Sequence, residues 1–97
     1  LAPTGYTLFQ NYPNPFNPKT TIEYEISEKS NVTIKIYDIL GREVKTLVDN
    51  EEKVRWKYKI EFDATNIASG VYFYRMQVNP VSGAGSFTQT KKMVVLK

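Results

Sequence analysis

Three groups of residues in this sequence have types and spacing that suggest chemistry. Asp49, Glu51 and Glu52 set carboxylates close together, the raw material of a cation site, yet they lack the ordered ligand spacing of a known calcium loop. Lys53, Arg55, Lys57 and Lys59 alternate with Val54, Trp56 and Tyr58, combining the phosphate-binding cations and stacking rings of a nucleic-acid surface. Strict alternation puts charges and rings on opposite faces of a strand, so the stretch reads as a solvated face over a core. Lys92-Met93-Val94-Val95-Leu96-Lys97 is an apolar run bracketed by lysines at the last residues of the sequence, where fraying and polar composition are the rule. Such a run must be pinned in a sheet, read by a partner, or both.

The absence of histidine and cysteine removes the commonest general base, the commonest metal ligands and any disulfide. The remaining carboxylates, serines and tyrosines show no pairing of a nucleophile with its base, so no catalytic residue, cofactor site or metal site is assigned. A net charge of +3 from 13 basic and 10 acidic residues is a mild excess, without the clustered stripe that nucleic acid requires. No apolar run approaches the roughly 20 residues needed to cross a bilayer. No signal peptide stands at Leu1, so an export address would lie upstream, and the sequence reads as a single C-terminal domain of a larger secreted protein. Asn31-Val32-Thr33 fits the glycosylation pattern, which short sequences match by chance.

The elements that would position these residues are strands. Ile22, Tyr24 and Ile26 alternate with glutamates, Val32, Ile34 and Ile36 alternate with Thr33 and Lys35, and the polar Ser27 to Asn31 segment predicts that the two pair as a hairpin. Asp38-Ile39-Leu40-Gly41 has the residues of a type I turn. The irregular pattern of the following strand, with Val44, Leu47 and Val48, predicts a bulge or an edge position. Val54 to Phe62 predicts a strand with one wholly apolar face, and Val71 to Val78 a central strand covered on both faces. Asn79 to Gly85 is a loop, and Phe87 to Lys97 supplies one or two closing strands. About seven short strands without helical period predict an all-β fold, an antiparallel immunoglobulin-like β-sandwich over residues 20–97 with no disulfide. Tyr72 is placed as a corner tyrosine whose hydroxyl bonds nearby backbone, and Tyr74 falls where an antibody domain has its second cysteine.

Residues 1–19 form a proline-rich strap. Pro13, Pro15 and Pro18 hold it extended and turning, and Phe9, Tyr12 and Phe16 are expected to plug one end of the sandwich. Tyr6, Tyr12 or Trp56, if exposed, could stack on sugars, which leaves an alternative function as a passive or carbohydrate-binding accessory module of a secreted hydrolase.

Four stretches in order, Phe9 to Pro18, Ile36 to Val44, Ala68 to Arg75 and Lys91 to Lys97, resemble the C-terminal sorting domain of proteins exported by the type IX secretion system. The resemblance spans nearly the whole chain, and its fold is similar to the immunoglobulin-like domain of the flagellar hook-capping protein. It implies a module that carries an upstream cargo through the periplasm and across the outer membrane, recognised there by a translocon and its surface processing machinery. It also implies a secreted or cell-surface destination. By motif, the translocon-recognition residues fall on Pro13, Pro15, Gly70, Tyr72, Lys92, Met93, Val94, Val95, Leu96 and Lys97. The lysines would mark a strand edge open to pairing, with a partner or with a second copy in a homodimer. Two departures from the family pattern stand out: Val54-Arg55-Trp56 replaces an Ala-Gly turn, lengthening the strand or exposing Trp56, and the Asn79 to Ser86 loop is long.

Overall fold

Each alternating stretch becomes a strand because it offers one face to a core and one to water. In the computed structural model, which describes residues 1–97, the strands are β1 (Thr7–Leu8), β2 (Lys19–Ile26), β3 (Ser30–Tyr37), β4 (Glu43–Lys53), β5 (Trp56–Asp63), β6 (Gly70–Pro80) and β7 (Phe87–Val95). One sheet has the order β1-β2-β5 and the other β4-β3-β6-β7, with every strand pairing antiparallel. The result is the expected immunoglobulin-like sandwich, held without cysteine by a continuous apolar core. Ile22, Tyr24 and Ile26 face inward from one sheet, and Ile34, Ile36, Tyr74 and Met76 from the other.

β2 and β3 do not form the predicted hairpin. β2 pairs with β1 and β5 while β3 pairs with β4 and β6, so Ser27-Glu28-Lys29 crosses from one sheet to the other. Both strands turn their even-numbered residues inward, and that pattern fits a hairpin and an inter-sheet arch equally. The Ser30 hydroxyl donates to the Glu28 carbonyl at 2.9 Å, and the Val81 amide donates to the Lys29 carbonyl at 3.0 Å, fixing the crossing.

The turn after β3 forms as its residues dictate. The Asp38 carboxylate accepts the amides of Leu40 and Arg42, each at 2.9 Å, and Gly41 adopts a φ of 82° that a side chain would resist. β4 is both an edge strand and a bulged one, with register shifts against β3 and Asn50 at a φ of 49°.

β5 departs from its predicted apolar face. Phe62 is buried and Tyr58 and Ile60 are half-buried, but Val54 and Trp56 face solvent, Trp56 at 53% exposure. The cause is position: Val54 lies in the turn between β4 and β5, Trp56 is the first residue of β5 on the outer edge of the smaller sheet, and the Lys53 and Lys45 side chains of β4 reach over Tyr58 and Phe62 further along. β6 is central, between β3 and β7, but covered on one face, since Arg75, Gln77 and Asn79 point to water. The closing segment is a single strand, β7.

The strap does not plug the sandwich with three aromatics. Phe16 is buried against Phe62 with ring centroids 6.1 Å apart, whereas Phe9 and Tyr12 are exposed. Leu8 from β1 enters the core instead, while Phe9 and Tyr12 bond to β2 through their own backbones, Phe9 to Glu23 and Tyr12 to Thr21, with their rings turned outward.

Candidate functional site

The site is built on the pairing of β6 with β7. Gly70 lies opposite Val95, Tyr72 opposite Met93 and Phe73 opposite Lys92. Gly70 opens β6 at a φ of 150°, which residues with a Cβ rarely adopt. Two residues on, the Tyr72 hydroxyl donates to the Ala68 carbonyl at 2.8 Å, forming the expected tyrosine corner. Inward-facing Met93 and Val95 are fully buried, so they complete the core and present nothing to a partner. Outward-facing Lys92, Val94 and Leu96 are the part of the segment that reaches the surface; Lys92 and Leu96 are exposed and Val94 is half-buried.

The outer edge of β7 is not open along this segment. Phe16 donates its amide to the Val94 carbonyl at 3.1 Å and accepts the Leu96 amide at 3.0 Å. The Asn14 side-chain oxygen accepts the Val94 amide at 2.9 Å, and Gln10 Nε2 donates to the Lys92 carbonyl at 2.7 Å. The strap thus serves as a short extra strand on the sheet edge, correcting the expectation that the lysines mark an open edge. An edge-paired homodimer through Lys92 to Leu96 would have to displace it. Pro13 and Pro15 are exposed and flank Asn14, so they hold the residue that caps Val94.

Lys97 is tied down as well. Its ammonium donates to the carbonyls of Thr65, at 2.7 Å, and Ile67, and its amide donates to Ser69 Oγ at 3.0 Å. It closes the β5–β6 connection, while Lys92 has no carboxylate partner within reach.

All ten residues singled out from sequence therefore converge at one end of the sandwich, and the Ile36 to Val44 stretch joins them through Ile36 opposite Tyr74 and Tyr37 opposite Phe73. Sequence reasoning missed the polar residues that weld the strap. Asn11 is buried; its amide donates to the Tyr74 hydroxyl at 2.8 Å and its side chain to Thr20 Oγ1 at 2.9 Å. The signal was present, because prolines remove backbone donors and asparagines interleaved with them supply side-chain substitutes.

The other candidate clusters do not assemble. No group of three acidic side chains is placed to hold a metal ion. Tyr6 packs on Phe87 with centroids 5.7 Å apart, Tyr12 pairs with Thr21 near the start of β2, and Trp56 lies opposite Ile26 at its other end, so they share no sugar-stacking platform.

A family model described as the secretion system C-terminal sorting domain matches residues 10–96. No curated protein sequence matches the chain. Among solved structures it is similar to dimeric latent PorU from Porphyromonas gingivalis, with a TM-score of 0.72 and 26% identity over 99% of this chain. It spans 10% of the length of that chain. It also shares its fold with the PmoD soluble domain from Methylocystis sp. ATCC 49242 (Rockwell), at a TM-score of 0.59 and 17% identity, covering 94% of this chain and 89% of that one. The family match takes in all or most of each of the four motifs that meet at this end of the sandwich, and the chain belongs to the type IX secretion system C-terminal sorting domains.

Proposed function

We propose that this domain directs a cargo attached upstream of it through the periplasm and across the outer membrane by engaging the type IX translocon, without catalysis of its own. Family membership makes it a sorting signal for type IX secretion, and such a signal implies delivery to the cell surface or the extracellular space. The observation that carries the reading further is the convergence of the strap, the start of β6 and the end of β7 into one hydrogen-bonded unit.

Within that unit the ten residues divide by role. Lys92, Val94 and Leu96 are the side chains a translocon would touch. Met93, Val95, Gly70 and Tyr72 hold the β6–β7 pairing, Pro13 and Pro15 position Asn14, and Lys97 closes the corner beside them. The surface processing machinery would act on the boundary between cargo and strap.

A fluorescent reporter fused upstream of the domain in a host with the pathway tests this. Deleting Lys92 to Lys97 is a poor probe because it removes Met93 and Val95 from the core. Lys92→Glu alters an exposed charge without a fold partner, and the expected result is reduced export at an unchanged melting temperature. Export equal to wild type would remove Lys92 from the recognition surface.

A further inference from the structure

The fold accounts for most side chains of the Ile36 to Val44 and Ala68 to Arg75 stretches. Ile36, Tyr72 and Tyr74 are buried, and Asp38 and Gly41 make a turn. Among those it does not account for are Ile39, Phe73 and Arg75. Ile39 is held at the tip of that turn with 72% of its surface exposed, and Phe73 and Arg75 lie on the outer face of the four-stranded sheet.

These residues meet. A hollow of about 270 Å³ on that face is lined by Tyr37, Ile39, Phe73, Arg75 and Thr90, with the turn at its rim. It is smaller than the roughly 300–1,000 Å³ of a drug-sized site and suits a single Leu- or Phe-sized side chain. Arg75 lies over the Tyr37 ring, its guanidinium carbon 4.6 Å from the centroid, and donates to the Tyr37 hydroxyl at 2.5 Å.

The charges around the hollow are unevenly matched. Lys35 stands directly opposite Arg75 across the β3–β6 pair, an arrangement of like charges that costs stability. Lys35 is neutralised by Glu43 at 2.9 Å, and Asp38 is engaged by Arg42 at 2.8 Å. Arg75 makes no ion pair, although Asp49 shares an adjoining hollow with it, and Lys92, the neighbour of Phe73 on β7, makes none either.

We propose that this hollow docks a partner protein that presents an apolar side chain next to a carboxylate. The apolar side chain packs on Phe73, Tyr37 and Ile39, and the carboxylate takes the free edge of Arg75. A guanidinium already held over a ring and hydrogen-bonded to its hydroxyl loses little freedom on forming a further pair. The inference rests on the sorting reading, in that the partner is one the domain meets during export.

Reporter fusions carrying Ile39→Ser or Arg75→Glu test it, with Trp56→Ser as an exposed apolar control far from the hollow. The expected result is export of the wild type and the control, a tenfold or greater loss in both hollow variants, and unchanged melting temperatures. If Arg75→Glu lowers the melting temperature by releasing Tyr37, Ile39→Ser decides alone. Normal export of the hollow variants, or an equal loss with Trp56→Ser, overturns the hollow and leaves the sorting reading intact. Retention of the wild-type fusion overturns both. Binding of the purified domain to phosphatidylglycerol vesicles that Arg75→Glu abolishes, with export unchanged, would assign the hollow to a lipid headgroup and overturn a protein partner.

Discussion

The hydroxyl of Tyr74 accepts the backbone amide of Asn11 at 2.8 Å, linking the central strand β6 to the proline-rich strap. The same hydroxyl donates to the Phe9 carbonyl at 2.7 Å. Where an antibody domain fastens its sheets with a cysteine, this one fastens its strap with a phenol. Tyr74→Phe should lower stability by about 2 kcal/mol, because two backbone groups beside the core lose their partner. The urea midpoint measures it, and an unmoved midpoint would show that the strap is held by other contacts.

Burial pushes the hydroxyl pKa of both Tyr24 and Tyr74 up from 10.0 to about 12, with Tyr58 adding to the shift at Tyr24. The folded domain therefore holds these protons more tightly than the unfolded chain, and their contribution is complete below pH 10 and lost as pH rises toward 12. Lys35, raised by its hydrogen bond with Glu43, acts in the same direction. Asp38 is lowered mainly by the Arg42 amide and Asp63 by the Thr65 hydroxyl, so their contribution is present above their ordinary value of 3.8 and disappears as pH falls below it. Denaturation midpoints across a pH series should form a plateau with a fall at each end, and the alkaline fall should be shallower in Tyr74→Phe.

The two bracketing lysines should behave differently. Lys97→Ala removes the donor to two carbonyls of the β5–β6 connection and is expected to cost about 1 kcal/mol. Lys92→Ala touches no such partner and should stay within about 0.5 kcal/mol of wild type. Thermal melts of the pair check this, and equal losses would contradict the asymmetry.

Asn14→Ala should loosen the strap where it covers β7. The Val94 amide loses its acceptor, and its hydrogen exchange is expected to quicken about tenfold, the equivalent of about 1.4 kcal/mol of local opening. Amide exchange followed by NMR reads this residue directly, and an unchanged rate at Val94 would mean that Phe16 alone closes the edge.

Strand positions, the Asp38 to Gly41 turn and the Tyr72 corner were legible because each is a local rule written in adjacent residues. Sheet membership was not, since the inward faces of Ile22 to Ile26 and Val32 to Ile36 read alike whether the strands pair or oppose one another. Alternation also says which residues share a face but not how far the opposite layer extends, which is why Trp56 stands exposed at the end of a strand that buries Phe62. The apolar Val71 to Tyr74 hid a one-faced strand because Phe73 is used on the outside. The functional end was recognisable from its motifs, but its closed edge depends on contacts between Asn14, Phe16 and Val94 that lie far apart in sequence.

Export of a reporter carrying residues 1–97, in a host with the type IX pathway, tests the central claim most directly. Fractionation should find the reporter on the cell surface or in the medium, and in the periplasm when the pathway is disabled. A folded fusion retained in the periplasm of the intact host would contradict the account.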